Sequence, residues 1–396
     1  MGSIMSMGID QRETGSYLQT SGLHVVHVLN DLGPGGAEMG VIRLIQALRG
    51  KAMQHSICTL GKKNAFPDTT RDIPIYQLGL AGRSYTAFWR LFQLFRRHGA
   101  DIVHVNNLAP WFDAALAARM AGCVCVETFH GVEQGTLAFS PLKKMLFRWA
   151  GGLSHTVSAV AEPAADLFVS LTGIERSRVQ VIANGIDTEQ FCPAYGPEEK
   201  KRLRGREGLP TDAVLFGCVA ALRPVKNHRG LLQACARLAK EMEQDWGLVL
   251  IGDGMLESEL QELAGELEIA HKVHFLGARA DVPELLRMLD VFVLNSNTEG
   301  LSYALLEAMA SALPVLATRV GANPQLITEG REGFLVPPGA SDVLAKGLKW
   351  FLGHPENMHS MGKKARKKIY GTYSFEAMTR SYENLYYQVY GEKGAV

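Results

Sequence analysis

No Cys-x-x-Cys occurs in the chain, no stretch of about 18 apolar residues runs uninterrupted, and neither sign of charge dominates. Each absence excludes something. The six cysteines (Cys58, Cys123, Cys125, Cys192, Cys218, Cys235) fit no zinc or dithiol spacing, and four stand inside apolar runs. They read as small buried hydrophobes in a reducing compartment. The opening MGSIMSMGIDQRETGSYLQTSG puts Asp10, Arg12 and Glu13 where a secretory signal needs its apolar core. A cytoplasmic protein with residues 1–22 as a mobile tail is expected. Basic and acidic residues number 41 and 40, split 17 to 15 over residues 1–190, so neither half forms the basic surface that many phosphate contacts require. Nucleic acid is excluded as a partner.

What is present is enough chain, 396 residues, for two cores. With 47% hydrophobic and 20% charged residues the composition is that of a globular protein. From residue 23 onward, short β-rich runs such as 23–30, 101–106 and 123–129 alternate with amphipathic helical segments at 37–49, 84–98, 110–121, 140–150 and 159–171. That rhythm is the signature of parallel α/β sheets. It breaks in a Gly-, Pro- and charge-rich stretch, then resumes with strands predicted at 213–220, 247–252, 272–276, 290–294, 314–318 and 333–336. Two doubly wound, Rossmann-like domains are expected, over 23–184 and 212–374, joined by a linker at 185–211 and facing a central cleft. A closing helix and tail at 375–396 could cross back to the first domain. Ligands of such sheets lie beyond the carboxyl ends of the strands, which gives strand-to-helix turns the most weight.

Four such turns carry candidate residues. Gly33-Pro34-Gly35-Gly36 opens a helix and is either a plain tight turn or a loop whose amides approach a diphosphate. It is no dinucleotide fingerprint, because Glu38 stands where a third glycine would be needed. His130 ends a strand, as a partner for a sugar hydroxyl or as a ring satisfied by backbone. Arg223 and Lys226, three apart at a strand end, make a diphosphate clamp or a solvated cationic loop. Asp253 in Gly252-Asp253-Gly254 reads as a helix cap.

The segment from Asn295 to Met309 is the most informative. Glu299 and Gly300 form a turn, and a helix begins near Ser302 with its amides free for an anion. If helical, Glu299 and Glu307 would stand roughly 12 Å apart along the axis, too far for the carboxyl pair of a glycosidase. They fit two separate clamps on one extended ligand, Glu307 accepting from a vicinal diol such as ribose. The apolar residues around Glu307 weigh against the alternative of a plain surface glutamate, and a buried glutamate needs donors.

Glu299 to Glu307 resembles the E-x7-E motif of retaining glycosyltransferases of family 4, which have the GT-B fold. The Gly35–Glu38 turn, His130, Val181–Asp187, the Arg223/Lys226 loop, Gly252–Gly254 and Phe275–Gly277 are similar to that family's signals in the same order. The resemblance covers about residues 23–390. It implies that Arg223 and Lys226 hold the donor diphosphate with the amides of Gly300, Leu301 and Ser302, and with Gly35 and Gly36 of the first domain. Glu307 would take the ribose hydroxyls, Glu299 and His130 the donor sugar, and the loop ending at Arg279 would face the base. No cofactor and no essential metal are implied, and the chain has no Asp-x-Asp to hold a bridging cation. The pattern departs from the family at Ala221, where the arginine usually stands, at Leu301-Ser302 in place of Phe-Gly, and at Gln325 in place of glutamate.

The implied function is retaining transfer of a hexose from a nucleoside diphosphate sugar, UDP preferred to GDP, to a glycan or lipid-linked acceptor in surface polysaccharide or glycolipid synthesis. A nucleotide-sugar 2-epimerase or a non-catalytic sugar-nucleotide sensor would share the architecture. On 83–98, Phe88, Leu91, Phe92 and Phe95 share one helical face. That stripe is a core face, or its cationic flank, with Lys143, Lys144, Arg148 and Trp149, rests on the inner face of an anionic membrane.

Overall fold

The computed structural model describes residues 22–33, 36–80, 86–131 and 139–392. In the first half, strands β1 (Leu23–Leu29), β2 (Met53–Thr59), β3 (Ile75–Gln77), β4 (Ile102–Val105), β5 (Val124–Phe129), β6 (Thr156–Ala159) and β7 (Val179–Val181) form one parallel sheet in the order β3-β2-β1-β4-β5-β6-β7. The β4 and β5 residues are all buried, as strands covered on both faces must be. Helices α1 (Gly36–Ala47), α2 (Ala87–Arg97), α3 (Leu108–Ala121), α4 (Pro141–Leu153) and α5 (Glu162–Thr172) cover it. Gly122 and Gly173, both in the left-handed region, end α3 and α5.

The chain then forms α6 (Pro197–Arg206) and a second parallel sheet of β8 (Val214–Val219), β9 (Trp246–Ile251), β10 (Val273–Phe275), β11 (Val291–Leu294), β12 (Val315–Thr318) and β13 (Gly333–Val336), ordered β10-β9-β8-β11-β12-β13. Its helices are α7 (His228–Glu241), α8 (Glu257–Glu266), α9 (Val282–Arg287), α10 (Tyr303–Ala310), α11 (Asn323–Leu326), α12 (Ser341–Gly353) and α13 (Pro355–Thr372). Strand order reverses between β1 and β4 in one sheet and between β8 and β11 in the other. Those two reversals open the crevices in which ligands of doubly wound sheets bind, and they are bordered by the turns after β1, β8 and β11.

The closing helix α14 (Phe375–Glu392) lies on the first sheet, where Tyr382, Leu385, Tyr386 and Val389 pack against Val25, Ile102, Val124 and Val126. The chain thus passes twice between the domains, and the passes bind each other through Ile186 N to Tyr373 O (2.8 Å) and Phe375 N to Ile186 O (3.0 Å). Five cysteines are buried, and desolvation pushes the Cys58, Cys125, Cys218 and Cys235 thiols up to about 12. None of the helices described is long and apolar enough to cross a membrane.

Candidate functional site

Two loops of the second domain are bound to each other. After β8, Pro224–Lys226 make one tight helical turn, and Asn227, at φ 51°, reverses the chain into α7 and caps it. After β11, Asn297 N donates to Val225 O (2.8 Å), and Asn295 Nδ2 donates to Asn227 O (3.0 Å). These ties fix Lys226 beside Glu299. Lys226 Nζ lies 2.6 Å from Glu299 Oε1, and Ser296 Oγ donates to the same oxygen at 2.6 Å.

The N-terminus of α10 is built by its neighbours. Ser302 Oγ caps it by accepting from Leu305 N (3.4 Å), Ala322 N donates to Gly300 O (2.9 Å), and Asn184 Nδ2 of the first domain donates to Leu301 O (3.3 Å). Gly321, at φ 52°, lies so close beneath the loop that a Cβ there would stand 2.2 Å from Glu299 O. From the first domain, His130 and Gly131 lie against Gly300, where a Cβ would meet His130 O at 2.5 Å. The His130 side chain is half-buried, its Nε2 is enclosed with no partner among the described residues, and desolvation lowers its pKa to about 4. At neutral pH it is therefore an uncharged imidazole, able to donate or accept one hydrogen bond.

Across the same cleft α1 meets α10. Gly36 and Gly40 leave room for the Tyr303 ring, since a Cβ at Gly40 would stand 2.2 Å from Tyr303 Oη. One turn on, Arg43 Nη1 reaches Glu307 Oε1 at 2.8 Å. Glu307 is buried, as its apolar neighbours implied, and the donor it needs is an arginine of the other domain. Arg223 lies near enough to Glu38, in the first turn of α1, to favour that carboxylate's charged form against the burial that raises its pKa.

The structure thus brings His130, Glu299, Gly300, Leu301, Ser302 and Lys226 together on one edge of the cleft and sets Gly36 and Glu307 at the α1–α10 contact; Gly35 lies outside the described residues. Arg279 is held by two carboxylates, Glu207 at 2.7 Å and Asp281 at 2.7 Å. Asp253 departs from the cap expected of it: α8 starts only at Glu257, with Leu256 at its cap position, and the Asp253 carbonyl accepts from Leu222 N (2.7 Å). Gly252 and Gly254 have positive φ and lie on Ala220 and Leu222 backbone, so this turn closes the β8–β9 edge instead. Arg43, Asn184 and Tyr303 escaped sequence reasoning. Only Asn184 carried a signal, its place in Val181–Asp187.

Comparison with known proteins gives the family. Residues 34–190 match the model of Glycosyltransferase Family 4, and residues 199–368 that of Glycosyl transferases group 1. The chain is 30% identical over 319 residues to N-acetyl-alpha-D-glucosaminyl L-malate synthase of Bacillus anthracis, covering 80% of each protein. It is 27% identical to UDP-Gal:alpha-D-GlcNAc-diphosphoundecaprenol alpha-1,3-galactosyltransferase of Escherichia coli, over 75% of this chain and 77% of that one. Among solved structures, a glycosyltransferase of Rickettsia africae superposes with TM-score 0.82 at 20% identity, over 93% of this chain and 99% of that one. Anabaena HepE in complex with UDP-glucose superposes at 0.78 and 21% identity, over 92% and 100%. With both halves matched and the two parallel-sheet domains of the GT-B fold in place, the chain belongs to glycosyltransferase family 4.

Proposed function

We propose that the protein transfers a hexose from a nucleoside diphosphate sugar, UDP preferred to GDP, to a hydroxyl of a glycan or lipid-linked acceptor, with retention at the anomeric carbon. The observation that carries this is the convergence of Lys226, Glu299 and the α10 N-terminus with His130 across the cleft. A departing diphosphate gathers negative charge, and a fixed ammonium with a row of backbone amides stabilises it without reorganising. The reaction balances without a protein nucleophile: the acceptor oxygen bonds to the anomeric carbon, the bond to the diphosphate breaks on the same face, and the hydroxyl proton passes to a diphosphate oxygen. Arg223 and Lys226 take the place of a bridging cation, so activity persists in EDTA; loss restored by magnesium or manganese would oppose this.

Two relatives support the substrate class. The Escherichia coli relative is named for a UDP-galactose donor and a diphosphoundecaprenol acceptor, and the Anabaena neighbour binds UDP-glucose. Labelled UDP- and GDP-sugars, offered with and without glycan and lipid acceptors, test the reading. Label in the acceptor supports it. An epimerised donor with no acceptor present points to the 2-epimerase, and binding without turnover to a sensor.

One surface favours acceptors held in a bilayer. On α4, Leu142, Met145 and Trp149 are all exposed at helical spacing, with Lys144 and Arg148 beside them, and Trp89 of α2 and Met120 of α3 are exposed on neighbouring helices. Leu91 and Phe95 of α2 are buried, so that helix has both its core face and an exposed aromatic flank. Each basic residue near an anionic surface contributes about 1 kcal/mol. Salt-sensitive sedimentation with anionic vesicles, weakened in Lys144→Glu/Arg148→Glu, is the expected result; equal recovery with neutral vesicles would remove the membrane from the reading.

A further inference from the structure

We propose that Arg43 is the positioning residue of Glu307: from α1 of the first domain it keeps that carboxylate an acceptor, so that recognition of ribose by the second domain depends on the first. This rests on the reading of Glu307 as the acceptor for a ribose diol. The contact is built, not incidental. Arg43 and Glu307 side chains are 19% and 8% exposed, and Nη1 and Oε1 are 2.8 Å apart. The guanidinium lies against two rings, with Cζ 5.6 Å from the centre of Phe191 and 5.4 Å from that of Tyr303. Gly36 and Gly40 on α1 let Tyr303 approach, which brings Arg43 into reach.

The chemistry follows from burial. Desolvation raises the Glu307 pKa, and Arg43 opposes it by charge and by hydrogen bonding. A carboxylate accepts from both hydroxyls of a diol, whereas a protonated carboxyl donates its single hydrogen and loses an acceptor position. The other groups near it leave this control to Arg43. Tyr303, on α10 itself, stays protonated because burial raises its pKa, and so does Tyr382 of α14. Arg366 of α13 is committed to the carbonyls of Thr188, Phe191 and Ala310.

The sign is definite. Without Arg43, Glu307 gains a proton as pH falls through its raised pKa, and ribose recognition is lost on the acid side and regained on the alkaline side.

The test measures Kd for UDP and for 2′-deoxy-UDP between pH 6.0 and 8.5 in the wild-type chain and in Arg43→Met, Arg43→Lys and Glu307→Gln. Their ratio cancels the titration of the diphosphate, and any general loosening of the domains, from the comparison. The wild-type ratio is expected to be flat, about tenfold in favour of UDP, as for one lost hydrogen bond to a charged group. In Arg43→Met it lies below the wild-type ratio and declines further as pH is lowered; Arg43→Lys holds it at all pH values, and Glu307→Gln is low and flat. A flat, unreduced ratio in Arg43→Met, with Glu307→Gln reduced, overturns the role of Arg43 alone. An undiminished ratio in Glu307→Gln overturns the ribose reading beneath it.

Discussion

Lys226 Nζ and Glu299 Oε1 stand 2.6 Å apart in a pair where the carboxylate also accepts from Ser296. The cation proposed for the diphosphate is thereby aimed before any donor arrives, by a carboxylate proposed for the sugar next to it. Removing the ammonium removes an interaction that strengthens as charge moves onto the leaving group, so Lys226→Ala should lower kcat by about 10²- to 10³-fold. Glu307→Gln should instead raise the donor KM with a smaller change in kcat, because a ribose diol is the same in ground and transition states. Steady-state rates over a range of donor concentrations separate the two. Equal effects on kcat from both variants would place both residues in the same role.

The closeness of Gly300 to His130 gives a steric prediction. In Gly300→Ala the new methyl would meet the His130 carbonyl at 2.5 Å, and neither a Cβ nor a backbone oxygen can rotate away. The domains must separate or the α10 entry loop must shift, so transfer should drop by about 10²-fold, the loss that a misplacement near 1 Å can cause. Thermal unfolding should change little, because the substitution creates no core cavity. Wild-type turnover in this variant would mean that the catalytic arrangement does not need this contact.

How far the sequence could be read depended on which force holds each part. The strands and most helices follow from apolar periodicity, and the turns after β8 and β11 from glycine and charge at strand ends. Helix α6 was illegible for a physical reason: PEEKKRLRGR has a single apolar side chain, Leu203, and no apolar stripe. It is anchored by Arg204, buried, whose guanidinium binds Asp290 Oδ2 (2.6 Å) and the carbonyls of Met288, Thr211 and Ala213. Arg43 was hidden for the same reason, since an arginine among polar and apolar helix positions looks solvated until a second domain covers it. Asp253 misled because glycine and aspartate before a helical run suit either a cap or a turn; here both glycines lie on neighbouring backbone, which selects the turn.

Glu127, fully buried on β5, has no hydrogen-bond partner on either carboxyl oxygen among the described residues, and burial raises its pKa well above the ordinary value. The folded chain therefore keeps the proton that the unfolded chain releases near pH 4.5. Stability from this group is fully present below that value and is lost as pH rises toward the folded pKa. Glu127→Leu removes an unpaired polar group and this linkage together, so it should stabilise by about 1–3 kcal/mol at neutral pH and by less at pH 4.5. Thermal unfolding at both pH values checks it. A gain independent of pH would mean that Glu127 ionises inside the fold.

The histidines beneath α14 run the opposite way with pH. His104 Nδ1 and Tyr386 Oη are 2.7 Å apart, His104 Nε2 and Thr128 Oγ1 are 2.7 Å apart, and His27 Nε2 lies 3.1 Å from His55 Nδ1. Burial lowers His55 to about 4, His104 to about 3 and His27 well below its usual value. The unfolded chain takes up these protons near pH 6.5 and the folded chain does not, so the docking of α14 is at full strength above that pH and weakens as pH falls toward 4. At pH 5 each such histidine costs about 2 kcal/mol, from 1.36 kcal/mol per pH unit. The melting temperature should therefore fall steeply between pH 6.5 and 5, with amides of α14 exchanging before those of β4 and β5. His55→Gln removes one titrating ring and should flatten that fall by about one proton's worth, 1.36 kcal/mol per pH unit. Parallel profiles for the variant and the wild-type chain would move the acid sensitivity elsewhere in the fold.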